Sequence, residues 1–317
     1  MYKEWNIEIL ILLMSYVLSS PFLFAQEVQS ETDKSRQLLP EQMELKLQEQ
    51  VTIMGENEED LGEPILIRRK PKAWSITLNS DIGEFWSSNI LLIEDDPQHH
   101  AQSGFALTQN DSLTVTYKIT DELTFTGGYR FSMFKYHRLI AENFDAHSAS
   151  GNLSYTLPYD ITVWTGVQWT TVYSRPIGDS VYEEADGNIG ISKVIPLNFA
   201  SWMKDRAVWF VGYQSDLRLV SPKELDKVEI SPYTGFYYLI CPKLTLQTFY
   251  RWQYQHFQIY GRKDYNNSVT GNLVWSPYEW MSVSSFGGYT DNNSLGKGAR
   301  NYNVFTAGVT IRFSWKF

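Results

Sequence analysis

The side chains best suited to acid–base or metal chemistry in this sequence are five histidines: His99, His100, His137, His147 and His256. His99 and His100 are adjacent, so they lack the spacing at which two side chains of one element share a metal ion. A metal or catalytic site at one mouth of the fold is the competing interpretation. We favour the interpretation that the histidines are ordinary polar residues in outer loops or at strand ends. No metal or other cofactor is predicted.

A surface hydrolase needs a nucleophile on the same face as its histidine. His147 and Ser148 are neighbours in the sequence, and consecutive residues of a strand point to opposite faces. Ala149 shares the face of His147 and supplies no nucleophile. The sequence therefore predicts no catalytic residue, and an enzyme would need a partner for His147 from another strand.

The elements that position these residues are strands, because the dominant period from Trp74 onward is two residues. The last segment shows this pattern best. One of its faces is apolar and aromatic, with Phe305, Ala307, Val309, Ile311, Phe313, Trp315 and Phe317. The other face is polar, with Thr306, Gly308, Thr310, Arg312, Ser314 and Lys316. Such alternation is typical of a strand that separates lipid from a polar lumen.

Twelve strands are predicted, with connections that alternate between short and long. The predicted ranges are 73–86, 104–119, 123–136, 146–157, 161–173, 187–195, 207–219, 228–240, 244–257, 266–275, 280–290 and 302–317. Short turns on one side and longer loops on the other are typical of transmembrane β-barrels, and an even count places both termini in the periplasm. The connection at 196–205 is an exception, since it is too long for a short turn. Gln109-Asn110-Asp111 in the second strand predicts a bulge or a later strand start.

Charged residues are predicted to line the lumen at inward positions. The candidates are Asp81, Lys118, Arg130, Asp216, Arg218, Glu229, Arg251 and Arg312. Mixed charge inside a narrow barrel has two interpretations, a water-filled channel that selects solutes or a salt-bridged filling that closes the barrel. Tyr233, Tyr237 and Phe249 also point inward by parity, which favours a partly filled lumen.

The region before the strands divides into two parts. Residues 1–25 combine a short apolar stretch, 9–18, with a cleavage-site pattern that ends at Ala25, and so predict a signal peptide. Residues 26–72 are polar and acidic, and they predict a flexible periplasmic extension, with a lumen plug or a docking arm as alternatives. The barrel is then predicted to span 73–317.

Composition excludes several classes of protein. The mean hydropathy is −0.31 although 15% of residues are aromatic, and no internal apolar run is long enough for a membrane helix. The net charge of −9 argues against a nucleic-acid partner, which requires a basic surface. A single cysteine, Cys241, cannot form an intramolecular disulfide.

The Leu23-Phe24-Ala25-Gln26 junction, the alternating strands and the closing Phe305–Phe317 segment together resemble bacterial outer-membrane β-barrel proteins. The resemblance covers about 73–317 and concerns architecture rather than activity. It implies outer-membrane lipid as the surroundings. It also implies that a C-terminal strand ending in aromatic residues (Phe313, Trp315 and Phe317) is read by the barrel-assembly machinery.

The sequence therefore predicts an all-β, antiparallel transmembrane β-barrel of about twelve strands with a polar N-terminal extension. The leading functional hypothesis is a non-enzymatic pore for passive diffusion of small solutes. The alternative is a structural or assembly subunit that grips an outer-membrane or periplasmic protein, and a surface hydrolase ranks third.

Overall fold

The computed structural model describes residues 73–92, 101–175, 177–200, 203–204 and 206–317. The predicted signal peptide and acidic extension, and also His99 and His100, lie outside these residues. Among the described residues, no helix is both long and apolar enough to cross a membrane.

Twelve antiparallel strands form a closed barrel in which each strand pairs with its sequence neighbours and β1 pairs with β12. The strands are β1 (Trp74–Ser87), β2 (Gly104–Lys118), β3 (Leu123–Tyr136), β4 (Phe144–Leu157), β5 (Ile161–Ser174), β6 (Ser180–Pro196), β7 (Ala207–Ser221), β8 (Lys227–Cys241), β9 (Leu244–Phe257), β10 (Lys263–Tyr278), β11 (Met281–Leu295) and β12 (Tyr302–Lys316). Full closure satisfies every strand edge, which is the condition for a sheet to stand in lipid. The prediction of a twelve-stranded antiparallel barrel is confirmed.

The two ends of the barrel differ, and we name them by their connections. The terminal end holds Ala73 and Phe317, and most of its turns are tight, such as the Pro158–Asp160 turn. The loop end holds the other six connections, of which 88–103 is the longest. The long connection predicted at 196–205 is present at the terminal end as 197–206.

Two local predictions about the strands were wrong. No bulge interrupts β2, because Gln109 and Asp111 point outward and bond to each other while Asn110 points inward, so the alternation is unbroken. The segment 174–186, which the predicted ranges leave as a long connection, is mostly strand, since β6 starts at Ser180 and pairs with β5. Its polar residues do not prevent pairing, because strands are stabilised by backbone hydrogen bonds and continue past the apolar belt.

The outer face carries an apolar belt typical of lipid contact. Large apolar side chains on it are exposed in every strand, including Leu78, Leu113, Phe125, Val167, Ile189, Leu217, Val228, Tyr250, Val269, Tyr289 and Val309. Near the terminal end, Tyr278, Trp280, Phe313 and Trp315 stack in sequence with ring centroids 5.3, 6.2 and 6.3 Å apart. An aromatic girdle of this kind marks a membrane–water interface.

Candidate functional site in the barrel lumen

The eight predicted lumen residues all occupy inward positions, because they keep the strand parity that is opposite to the apolar belt. They do not form one site. Asp216, Arg218, Glu229 and Arg251 are buried, whereas Asp81, Lys118, Arg130 and Arg312 are accessible to solvent to various degrees. The lumen therefore has two zones with different physical properties.

The first zone is a buried charge cluster toward the loop end of β6–β9. Arg218 Nη2 lies 2.9 Å from Glu229 Oε2, and Arg218 Nε lies 3.9 Å from Asp186 Oδ2. Lys227 Nζ is 3.9 Å from the same Glu229 oxygen. These four side chains are at most 2% exposed, so water does not separate the charges.

Neutral donors bind two of the carboxylates in this zone. Gln253 Nε2 and Ser231 Oγ donate to Glu229 Oε1, and Gln214 Nε2 donates to Asp216 Oδ1 at 2.7 Å. Buried ions need such bonds, because the cost of their desolvation is large. This arrangement fills the lumen beside β6–β9 and matches the salt-bridged interpretation of the sequence.

A second charged pair continues the filling at the start of β10. Arg262 Nη2 is 3.1 Å from Asp264 Oδ2, and the guanidinium carbon of Arg262 lies 3.5 Å from the ring centre of Phe257. Ser294 Oγ donates to Asp264 Oδ1 at 2.5 Å. Arg300, in the β11–β12 loop, feels both burial and the charge of Arg262, and these two effects lower the pKa of its guanidinium.

Sequence reasoning missed five charged residues of this zone: Glu184, Asp186, Lys227, Arg262 and Asp264. The predicted strands β6, β8 and β10 started too late to include Glu184, Asp186, Lys227 and Asp264, and Arg262 lies in the connection just before β10. The alternation of the strand could have identified two of them, since Glu184 and Asp186 have the same even-numbered, inward positions as Asn188.

Apolar side chains close the lumen at the loop end on the side of β1–β5. Phe134 and Phe144 stack with ring centroids 4.5 Å apart, and both are almost fully buried. Ile90 and Leu92 of the β1–β2 connection are also buried, and Ile90 lies over Gly104. Among the described inward residues, the loop end is therefore a packed core rather than an open mouth.

The second zone, from mid-barrel to the terminal end, has a wall of small polar side chains that solvent reaches. Ser150, in the middle of β4, is exposed although it is inward, which requires open space inside the barrel, and inward Thr156 is exposed at the terminal end. A Cβ built on Gly190 would lie 2.2 Å from the Trp164 ring, so the ring lies flat against the wall and requires glycine beneath it.

Charge in the accessible zone is mostly positive. Asp81 and Arg312 form a bidentate pair at 2.7 and 3.0 Å, and their side chains are 16% and 39% exposed. Arg130 is half-buried, while Lys118 and Lys316 are exposed at the terminal end. Among the described inward residues, this zone thus carries four cations and the single acid Asp81.

The structure places His147 and Ser148, the neighbours considered as a hydrolase pair, on opposite faces of β4. His147 points outward, and its Nδ1 shares a hydrogen bond of 2.6 Å with Tyr129 Oη. Ser148 points inward, and its Oγ shares a hydrogen bond with Thr170 Oγ1. His137 Nε2 lies 3.4 Å from Glu84 Oε1 with both side chains largely exposed. Across the ranges that the structure describes, no three His, Cys, Asp or Glu side chains converge as metal ligands.

No family model and no curated protein matches the sequence. Solved outer-membrane barrels do match the fold. OmpT of Vibrio cholerae is 11% identical, with a TM-score of 0.40 over 78% of this chain and 99% of that protein. An outer membrane channel from Pseudomonas putida F1 is 11% identical, with a TM-score of 0.46 over 80% and 100%. LpxR from Salmonella typhimurium is 6% identical, with a TM-score of 0.42 over 73% and 99%.

These similarities concern the fold and carry no argument about activity. The closed twelve-stranded barrel, its apolar belt and its aromatic girdle give the chain the architecture of bacterial outer-membrane β-barrel proteins.

Proposed function

We propose that the protein is a non-enzymatic outer-membrane channel for small solutes, with an anion-preferring path that is narrowest at the loop end. The observation that carries this proposal is the accessible polar wall between mid-barrel and the terminal end, where inward Ser150 and Thr156 are exposed. A barrel filled throughout its length would bury the mid-strand side chain of Ser150.

The charge of the accessible zone supports selectivity for anions. Four cations and one acid produce a positive potential inside a low-dielectric wall, which concentrates anions in the path and repels cations. Asp81 offsets part of this potential, because it binds Arg312 directly. Arg130 stands at mid-height in β3 and is half-buried, so its charge faces the path within the accessible zone.

The packed loop end sets the resistance of the path. Solutes cross only when the apolar side chains around Phe134 and Phe144 separate or rearrange, so we expect small or intermittent conductance from the native protein. Truncation of Phe144 removes a ring that stacks at 4.5 Å and widens this point. Conductance should therefore rise in Phe144→Ala.

The test is single-channel recording of the refolded full-length protein in a planar bilayer. We expect discrete current steps, and a reversal potential in a salt gradient that reports preference for anions. Arg130→Gln should shift that potential toward cations, while the outward and exposed Lys193→Gln, which removes the same charge, should leave it unchanged. The proposal fails if neither the native protein nor Phe144→Ala conducts while both are folded, and the role of an assembly subunit then takes its place.

The proposal includes an orientation, with both termini in the periplasm and the loop end outside the cell. It also includes recognition of Phe313, Trp315 and Phe317 by the barrel-assembly machinery. Two features support these parts of the proposal: the aromatic girdle near the terminal end, and the 2.9 Å hydrogen bond from the backbone N–H of Phe317 to the carbonyl oxygen of Ile76. Protease accessibility of an epitope inserted at 297–299, measured on intact cells, tests the orientation.

A further inference from the structure

The outer face of β1 and β2 carries a hydrogen-bonded polar cluster within the apolar belt. Ser80 Oγ donates to Asp111 Oδ1 at 2.6 Å, and Gln109 Nε2 donates to Asp111 Oδ2 at 2.8 Å. Asp111 stands at the middle of β2, equally far from both of its ends. Exposed Ile82 and Leu113 flank it on the same face.

A carboxylate at this height is costly if lipid covers it. Ionisable groups within a membrane-spanning segment are rare and normally face protein or water rather than hydrocarbon. The side chain of Asp111 points outward, so it reaches neither the water nor the polar side chains of the barrel lumen. The two donors satisfy part of the carboxylate, which has about four acceptor sites, and acceptor capacity remains for a group from outside the barrel.

A second polar pair lies two strands away on the same outer face. In the strand register, Asp111 of β2 pairs with Phe131 of β3, and Phe131 pairs with His147 of β4. Tyr129 binds His147 through Nδ1, so Nε2 is the ring nitrogen that can donate to a group outside the barrel. The belt thus presents an acid on one side of Phe131 and an imidazole on the other.

We propose that β2–β4 form an interface with a second copy of this chain. A two-fold axis along the membrane normal and close to Phe131 brings the β2 side of one copy against the β4 side of the other. Each Asp111 then faces the Tyr129–His147 pair of its partner, and the contact is made twice. The arrangement is self-complementary in hydrogen bonding, with a carboxylate acceptor opposite an imidazole donor, and this favours a second copy over an unrelated protein.

Cysteine cross-linking tests the axis in the full-length protein. Phe131→Cys in a Cys241→Ser background should cross-link between copies in outer membranes and in lipid nanodiscs. Leu217→Cys is the matched control, since it is also an exposed outward residue but lies on β7. Cross-links at both positions to the same extent, or at neither position, would overturn the proposal. So would a cross-link at 131 to a different protein only.

Charge substitutions test the pairing. Asp111→Asn and His147→Gln should each weaken dimerisation by roughly tenfold or more, because each removes two symmetric charge-assisted bonds. The exchanged double variant Asp111→His/His147→Asp should recover most of the dimer. Equal dimerisation in all variants, measured by mass analysis of nanodiscs, contradicts the pairing, as does loss in the exchanged variant although it folds.

Discussion

Glu229→Gln is the most informative substitution, because it asks whether the loop end is filled. Glu229 forms an ion pair with Arg218 and accepts hydrogen bonds from Gln253 and Ser231, and its side chain is 2% exposed. The amide preserves size but removes the negative charge. Arg218 and Lys227 then remain buried with one acidic partner fewer.

The expected cost follows from that burial. Removing one partner of a buried ion pair typically costs about 3–5 kcal/mol, because the remaining charge is neither hydrated nor compensated. Asp186 lies 3.9 Å from Arg218 and offsets part of this cost, so we expect Glu229→Gln to lower the free energy of unfolding by about 3 kcal/mol. Asp81→Asn removes the same charge from the Asp81–Arg312 pair, whose arginine is 39% exposed. Water screens that pair, and its loss should cost about 1 kcal/mol or less.

The assay is urea unfolding of the full-length protein in lipid vesicles, followed by tryptophan fluorescence and by the heat-dependent shift in gel mobility. We expect a clearly lower midpoint for Glu229→Gln than for Asp81→Asn, with similar slopes. Equal loss of stability in the two variants would refute the conclusion that the lumen is dry at the loop end and wet at mid-barrel.

Three further predictions address other parts of the molecule. Gly190→Ala should destabilise the barrel by about 1–3 kcal/mol in the same unfolding assay, because its methyl group would enter the ring above it; Gly187→Ala, which meets nothing within 4 Å, should change little. Burial raises the pKa of the Glu142 carboxyl in the β3–β4 loop. The folded state therefore binds this proton more tightly than the unfolded state does, and stability falls as pH rises above the ordinary range of a glutamate. The stability of Glu142→Gln relative to the native protein should therefore be higher at neutral pH than at pH near 4. Phe317→Ser should reduce the yield of assembled barrel in cells, measured by heat-modifiable mobility, without a comparable loss of stability in the assembled fraction.

The sequence by itself determined the number of strands and the face of most residues within the predicted strands. Alternation is a local property, because each residue of a strand points opposite to its neighbour whatever the rest of the fold does. For that reason Arg130, Arg251 and Arg312 could be assigned inward positions without a structure. Where polar residues occupied both faces, as at 109–111 and 174–186, the pattern gave the wrong answer, since backbone pairing continues without an apolar face.

Only the tertiary structure decided which charges are paired and which are wet. Asp81 and Arg312 are 231 residues apart and meet because β1 and β12 close the barrel. Parity puts Glu229 and Asp81 on the same inner face, yet the first is dry and the second is not. That difference depends on the side chains that other strands project into the lumen at the same height, and no period within one strand contains this information.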